Sequence, residues 1–172
     1  MAYEAKNCVW IKFVDGPRDT FNLKVGQYGR VSADYSLDLE NWIPLQPGMY
    51  GPDYQTITIN KGDTVYLKAT PSSDPTINTN AQFASDESDK ADFYFIAGGS
   101  LAGLVTNGLS DFVDDDAPQQ KTLNSVFMNC SFVKDIKDLK LGFKVIPDEA
   151  LHYTFRGTGI TDLWPSFFQG VE

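Results

Sequence analysis

The chain has 172 residues, which is enough for one ordinary domain or two small ones. Its formal net charge of −9 and its lack of a basic run disfavour nucleic acid and an anionic membrane as partners, since both reward clustered Lys and Arg. Hydrophobic residues make up 42%, enough for a core, and the 14 Gly and 9 Pro favour β structure over a helix bundle.

No basic segment followed by an apolar one occurs at the N-terminus, so the sequence predicts no signal peptide. The uncharged stretch Phe93–Ser110 contains several glycines, hydroxyl and amide residues. It is therefore predicted to form a strand, a turn and a second short segment rather than a membrane span.

Two segments rich in β-forming residues open the chain, Cys8–Val14 and Thr20–Val25. The turn signal Asp15-Gly16-Pro17 between them predicts a hairpin. The second segment alternates strictly, which places Phe21 and the other apolar residues on one face. Further strands are predicted at Arg30–Ser36 and Asn41–Leu45, joined by a turn rich in Asp and Asn.

A loop with two prolines and two glycines, Gln46–Asp53, leads into the clearest predicted hairpin of the chain. Its strands are Tyr54–Ile59 and Thr64–Ala69, and Lys61-Gly62-Asp63 is the tight turn between them. In the second strand the alternation points Val65, Leu67 and Ala69 inward.

Residues 71–92 are polar and predict a long loop around one short strand near Ala81–Phe83, followed by a last strand at Phe93–Ile96. About seven short strands separated by turn signals are typical of an antiparallel Ig-like β-sandwich. We therefore expect a mostly β fold with a β-sandwich domain over residues 1–112. Asp111–Lys121 is predicted to be the connector to a second segment, residues 113–172.

The C-terminal third contains a repeated pattern of Phe, a small residue, Cys or Thr, and spaced aliphatic residues. The copies begin at Phe127 and Phe155, and a partial third copy begins at Phe168. Apolar-Pro steps, Ile146-Pro147 and Trp164-Pro165, precede the later copies. Such a repeat predicts stacked coils that form a scaffold and a surface. The alternative is that these are unrelated core aromatic residues.

This segment resembles the BspA-like leucine-rich repeat, whose units read roughly Phe-x-Gly/Asn-Cys-x-x-Leu-x-x-Ile-Pro. The matching residues are Asn129, Cys130, Val133 and Ile136 in the first unit and Gly157, Ile160 and Leu163 in the second, with Thr158 in the place of Cys. The resemblance implies a short leucine-rich-repeat-like solenoid. Repeats of this family occur in bacterial surface proteins and in bacteriophage virion proteins.

The N-terminal part is similar to the small β domain that precedes such repeats. The residues that carry this similarity are Tyr35, Ser36, Asp38 and Trp42, then Ile57, Thr58, Ile59, Gly62, Asp63, Val65 and Tyr66, and the Gly-rich stretch Gly98–Val105.

Little in the sequence indicates catalysis. His152 is the only histidine, and no Gly-x-Ser-x-Gly elbow or phosphate-binding loop occurs. The 23 acidic residues include no pair that stands out as a glycosidase site, so we expect no enzymatic activity and no cofactor.

The two cysteines, Cys8 and Cys130, are predicted to be buried free thiols, with a disulfide as the alternative. Two cysteines and one histidine do not make a metal site. The acidic runs Asp114–Asp116 and Asp86–Asp89 carry oxygen ligands suited to calcium, but they lack the order of an EF-hand loop and are read as solvated loops.

Several aromatic residues are candidates for an interaction surface: Trp42, Tyr50, Tyr54, Trp164 and Phe168. The first four are also candidates for a sugar-stacking platform. More often such residues are core or interface anchors. The resemblance, together with the predicted lack of a secretion signal, leads us to expect a non-enzymatic bacteriophage virion protein, in a capsid-decorating, fiber or tail-associated role. It would assemble in the host cytoplasm with other virion proteins, in many copies or as a homo-oligomer, or else act by recognition of the host surface, with a surface glycan as the candidate ligand. The alternative is a secreted cell-surface adhesin or glycan-binding module.

Overall fold

The chain is mostly β in the computed structural model, which describes residues 4–27, 33–46, 48, 52–69, 81–104, 123, 125–142 and 151–171. These residues form nine strands: β1 (Val9–Asp15), β2 (Thr20–Gln27), β3 (Ala33–Ser36), β4 (Ile43–Pro44), β5 (Asp53–Asn60), β6 (Thr64–Ala69), β7 (Ala81–Ala84), β8 (Tyr94–Ser100) and β9 (Val133–Lys140). Short 3-10 helices span Ala5–Asn7, Lys90–Asp92, Leu101–Leu104 and Pro165–Phe168, and no α-helix occurs in the described residues. The expectation of a mostly β fold is confirmed.

The strands form two sheets. The larger has the order β4-β3-β6-β1-β8-β9 and the smaller has the order β5-β2-β7. Every pair is antiparallel except β8 and β9, which run parallel with Phe95 opposite Val133. The predicted pairing of the strands around Tyr35 and Ile43 is confirmed, because these residues face each other across β3 and β4.

The predicted hairpin between the first two strands is wrong. β1 pairs with β6 and β8, whereas β2 pairs with β5 and β7 in the other sheet. The apolar faces of the two strands oppose each other across the core, with ring centroids of Phe13 and Phe21 6.2 Å apart. Alternation fixes which face of a strand is buried but not which strand lies beside it, so the sequence pattern alone did not reveal the crossing.

The second predicted hairpin fails for the same reason, although both of its strands and its turn are present. β5 pairs with β2, and β6 pairs with β1 and β3. The turn at Gly62, which has a φ of +99°, is a corner that carries the chain from one sheet to the other. The predicted inward face of β6 is confirmed, since Val65, Leu67 and Ala69 are buried.

Phenylalanine rings fill the space between the sheets. The ring centroid of Phe21 lies 4.7 Å from that of Phe93, 4.9 Å from that of Phe95 and 5.0 Å from that of Phe132. Aromatic pairs of this kind contribute about 0.5–1.5 kcal/mol each beyond the burial of their area. Because Phe132 comes from the C-terminal third, this part of the chain shares a core with the N-terminal strands.

The C-terminal third contains two turns with the same backbone geometry, 28 positions apart. Ser125 and Tyr153 have φ values of 66° and 58°, and Asn129 and Gly157 have φ values of 61° and 71°. In each turn the fourth residue donates its N–H to the carbonyl of the first, at 3.0 Å in the turn that starts at Ser125 and at 3.1 Å in the one that starts at Tyr153. The repeat seen in the sequence is thus matched by a repeat in conformation.

The two turns also stack directly on each other. Phe127 donates its N–H to the carbonyl of Thr154 at 2.9 Å, and Asn129 donates to the carbonyl of Arg156 at 2.7 Å. The ring of Phe127 lies parallel to the ring of Phe83 on one side, with a centroid distance of 5.7 Å and an angle of 13°. On its other side lies the ring of Phe155, at 5.8 Å and 12°. Phe83, Phe127 and Phe155, which we call the phenylalanine column, therefore join three chain segments.

The end of the column is covered by Phe167, whose ring meets that of Phe155 edge-on with centroids 5.6 Å apart. Phe168, where the sequence places a third copy of the repeat, is instead 43% exposed. The predicted domain boundary at residue 112 lies outside the described residues and stays a prediction.

Both cysteines are buried and free, as predicted. The thiol of Cys130 donates to the carbonyl of Phe83 at 3.1 Å, beside the phenylalanine column. Burial raises the pKa of Cys8 to about 11 and also raises the pKa of Cys130, so neither thiol is a thiolate near neutral pH.

Candidate recognition groove

A groove of about 340 Å³ lies where the beginnings of β8 and β9 meet the last segment of the chain. We call it the recognition groove. It is lined by aromatic, charged and hydroxyl side chains: Tyr94, Lys134, Asp135, Gly159, Thr161, Asp162 and Trp164.

The recognition groove is built by three segments that lie side by side. Phe95 donates its N–H to the carbonyl of Phe132 at 2.8 Å, and Gly159 donates to the carbonyl of Val133 at 3.0 Å. Alternation along the strands places the lining side chains on the outer face, because Phe95 and Val133 point into the core while their neighbours Tyr94 and Lys134 point outward.

At the base of the groove, the backbone of the last segment lies close to the start of β9. A Cβ atom on Gly159 would lie 2.5 Å from Cδ of Lys134 and 2.7 Å from the carbonyl oxygen of Ser131. A glycine therefore lets the last segment approach β9 closely enough for the Lys134 side chain to lie across it. Lys134 Nζ donates to the carbonyl of Ala91 at 2.8 Å, which holds its ammonium group in place.

Two carboxylates border the groove. Oδ1 of Asp135 accepts the N–H of Lys137 at 2.8 Å, and its Oδ2 lies 3.9 Å from Nζ of the same lysine. Asp162 accepts the hydroxyl of Thr161 at 3.0 Å on one oxygen. Asp135 is thus oriented by its own strand, whereas Asp162 stands on the exposed last segment.

Two large aromatic side chains stand open to solvent at the groove. Trp164 is 44% exposed and Tyr94 is 40% exposed. The carbonyl of Trp164 accepts the N–H of Phe167 at 2.9 Å, and Pro165 begins the 3-10 helix that follows. Because Phe167 is buried, this short helix anchors the backbone that carries the indole.

The aromatic residues that the sequence singled out do not form one platform. Trp42 precedes β4, at one side of the six-stranded sheet, and Trp164 lies beside β9 at the other. Five strand spacings separate these sides, about 24 Å at roughly 4.8 Å per strand. Tyr54 is on β5 in the other sheet. Tyr50 lies outside the described residues.

Trp42 and Tyr54 have local structural contacts. The indole of Trp42 donates to the carbonyl of Leu39 at 3.1 Å, and Lys68 Nζ lies 4.4 Å from its ring centroid. Tyr54 donates its hydroxyl to Oε1 of Gln82 at 2.9 Å. Of the predicted aromatic residues that the structure describes, Trp164 is the one that lines the recognition groove.

Sequence reasoning missed Tyr94, Lys134, Asp135 and Asp162 as site residues. The available signal was the outward position of Tyr94 in an otherwise buried apolar run, since an exposed large aromatic residue on a strand is a candidate contact. The charged residues gave no signal, because they come from segments far apart in the chain.

A second cleft of about 340 Å³ lies near β2 and β5, lined by Asn22, Lys24, Thr56, Asp86 and Glu87. Its carboxylates are engaged in ion pairs. Arg18 pairs with Glu87 at 2.7 Å and with Asp89, and Lys24 pairs with Asp86. The Arg18 guanidinium lowers the pKa of Asp89.

The ion pairs make this acidic loop a structural contact rather than an open set of calcium ligands. Within the described residues no group of three or more His, Cys, Asp or Glu residues is arranged to hold a metal ion. Asp114–Asp116 lie outside those residues.

His152 is packed rather than open. Its ring lies against that of Tyr153 with centroids 3.7 Å apart, and its Nδ1 is buried without a hydrogen-bond partner. Its carbonyl accepts the N–H of Ser125 as part of the stacked turns.

No family model, curated protein or solved structure matches this chain. The described helices are all short 3-10 turns, and none is long and apolar enough to cross a membrane. What the chain does must therefore be inferred from its repeated turns, its exposed side chains and the recognition groove.

Proposed function

We propose that this chain is a non-enzymatic structural protein of a bacteriophage virion, in a capsid-decorating, fiber or tail-associated role. It acts by protein–protein assembly or by recognition of the host surface. The observation that carries the proposal is the phenylalanine column, in which parallel rings of Phe127 and Phe155 join two turns of the same conformation.

The repeated turns support the interpretation that the C-terminal third is a short BspA-like leucine-rich-repeat solenoid following an Ig-like sandwich. In such a solenoid each coil buries the apolar edge of its neighbour, so the unit is a scaffold and not a catalytic cleft. The resemblance links this repeat to virion and bacterial surface proteins, which narrows the function to assembly or attachment.

The last segment of the chain supports a contact role. Four of its large hydrophobic side chains are exposed: Tyr153, Leu163, Trp164 and Phe168, with exposures of 44%, 54%, 44% and 43%. Large apolar side chains that stay exposed close together in the sequence are candidates for an interaction site. We therefore propose that this region meets another virion protein or a second copy of the chain.

Quantitative mass spectrometry of particles tests the proposal. Particles of the bacteriophage that encodes the chain are purified on a density gradient and washed in high salt. We expect the chain to copurify in a constant ratio to the major capsid protein, whereas a host ribosomal protein measured as the contamination control declines. Loss of the chain together with that control would contradict a virion role.

The alternative is a cell-surface adhesin or glycan-binding module, and the recognition groove with its exposed Trp164 favours it. Fractionation separates the two. A virion protein is recovered with particles, whereas an adhesin is recovered with the surface of the cell that encodes it.

A further inference from the structure

We propose that the recognition groove binds a neutral pyranose of a glycan, with the sugar ring stacked on Trp164. The inference rests on the recognition role proposed above and names the ligand class of that role. Its argument depends on the aromatic faces, the hydrogen-bonding groups, the charge and the size of the groove.

The aromatic side chains supply the apolar part of the site. The face of an indole is negative, and one face of a pyranose carries C–H groups that are slightly positive, so the two attract each other when stacked. Trp164 and Tyr94 are both near half exposure, although large aromatic residues elsewhere in the described chain, such as Phe21, Phe83 and Phe95, are fully buried. Exposure of two such side chains at one groove leaves apolar area that a ligand can cover.

The polar side chains supply both donors and acceptors for sugar hydroxyls. An ammonium group has three N–H donors, and Lys134 uses one of them on the carbonyl of Ala91. Asp162, which lines the groove, accepts the hydroxyl of Thr161 on Oδ2, and a carboxylate has a second oxygen that can accept a ligand hydroxyl. A hydroxyl both donates and accepts, so this mixture suits it.

Charge selects neutral sugars over acidic ones. The groove is lined by two carboxylates, Asp135 and Asp162, and by the ammonium group of Lys134, while Lys137 Nζ lies 3.9 Å from Oδ2 of Asp135 and leaves Asp162 as the dominant negative charge. The whole chain has a net charge of −9, which adds a repulsive field for an anionic ligand. Sialic or uronic acids therefore meet a like charge at close range, whereas a hexose or an N-acetylhexosamine does not.

The size of the groove limits the ligand. Its volume of about 340 Å³ is at the lower end of the roughly 300–1,000 Å³ that small-molecule sites occupy. This suits one or two sugar rings at the end of a chain rather than a long polysaccharide.

A glycan array probed with the whole chain tests the inference. The array carries oligosaccharides ending in glucose, galactose, mannose or N-acetylhexosamine, and matched ones ending in sialic or uronic acid. We expect binding to at least one neutral terminus and none to its acidic counterpart, and each hit is titrated by calorimetry with the free oligosaccharide.

Variants locate the binding site. Trp164→Ala and Tyr94→Ala should each weaken binding by about tenfold or more, as loss of an aromatic anchor does in other interfaces. Phe168→Ala is the matched control, because Phe168 is an equally exposed aromatic residue of the same segment that does not line the groove, and it should change the affinity by less than about twofold. A melting curve for each variant confirms that it is folded.

Several results would overturn the inference: an array without a neutral hit, binding only of acidic termini, or unchanged affinity in folded Trp164→Ala and Tyr94→Ala. The virion proposal is judged separately by particle composition, so an empty array leaves that measurement unaffected.

Discussion

The ring of Phe127 lies parallel to the ring of Phe155, with centroids 5.8 Å apart and planes inclined by 12°. On its other face Phe127 meets Phe83 in nearly the same way. The Phe127 side chain thus joins strand β7 to both repeated turns. We therefore expect its removal to lower the stability of the fold strongly.

Phe127→Ala should lower the free energy of unfolding by about 3–5 kcal/mol, the usual cost of removing a fully buried phenylalanine ring. The ring is 0% exposed and has partners on both faces. Phe168→Ala, which removes a ring that is 43% exposed, should cost less than about 1 kcal/mol. Urea unfolding followed by circular dichroism measures both, and equal losses would show that the column is not a central contact.

The left-handed positions of the repeated turns give a second prediction. Gly157 has a φ of 71°, and a Cβ atom on it would lie 2.7 Å from Oδ1 of Asn129. Gly157→Ala should therefore cost about 1–3 kcal/mol, since a residue with a side chain is strained in this conformation.

The matched control for that change is Asn129→Gly at the equivalent position of the first turn, where φ is 61°. Glycine adopts this conformation without strain, so the folded state should keep its stability to within about 1 kcal/mol. If Asn129→Gly were as harmful as Gly157→Ala in the same urea titration, backbone conformation would not be the reason for either loss.

The strands and the repeat could be predicted from sequence because their signals are local. Alternation in β2 places Phe21 inward whatever its neighbours are, and the repeated Phe at 127 and 155 is visible as a pattern. Strand pairing could not be predicted, because it depends on contacts far apart in the chain. Gly16 and Gly62 look like hairpin turns, yet the loops that contain them cross between sheets.

The recognition groove could not be predicted from the sequence either, because its residues come from segments that lie far apart in the chain. Tyr94 comes from β8, Lys134 from β9 and Asp162 from the last segment. They are brought together by the parallel pairing of β8 with β9 and by the hydrogen bond from Gly159 N–H to the carbonyl of Val133. A β-rich sequence gives little warning of one parallel pair in an otherwise antiparallel sheet. The sequence does indicate Trp164, because tryptophan is a residue type enriched at contact sites wherever it lies in the chain.

Thiol chemistry gives a prediction for the buried cysteines. Burial raises the pKa of Cys8 to about 11, well above that of a free thiol, and it raises the pKa of Cys130 as well. The folded chain should therefore react very slowly with Ellman's reagent at pH 8, because the thiolate is the reactive form. In 8 M urea both thiols should react at the rate of a free cysteine, and rapid reaction of either one without denaturant would contradict its burial.

The same shift makes stability fall at alkaline pH. Between about pH 9 and pH 11 the unfolded thiol of Cys8 has lost its proton while the folded one keeps it, so the folded state binds more protons and loses stability as pH rises. Cys8→Ala removes this contribution. The urea midpoint of the variant should decline less steeply over that range than the midpoint of the unsubstituted chain, and parallel declines would refute the assignment.

Asp38 gives the opposite dependence at acid pH. The N–H of Asn41 donates to Oδ1 at 2.7 Å, the Asn41 amide donates to Oδ2 at 2.7 Å, and the N–H of Glu40 donates to Oδ1 at 2.9 Å. These bonds, led by that of the Asn41 backbone, lower the pKa of Asp38 well below its usual range. As pH falls, the carboxylate of Asp38 takes up a proton in the unfolded state before it does so in the folded state. Its contribution to stability is therefore complete above the unfolded pKa near 4 and is lost as pH falls toward the folded pKa.

Asp38→Asn should be less stable than the unsubstituted chain at pH 7, and the gap between their urea midpoints should narrow steadily from pH 5 to pH 2. A gap that stays constant over this range would show that the carboxylate charge of Asp38 does not stabilise the turn between β3 and β4.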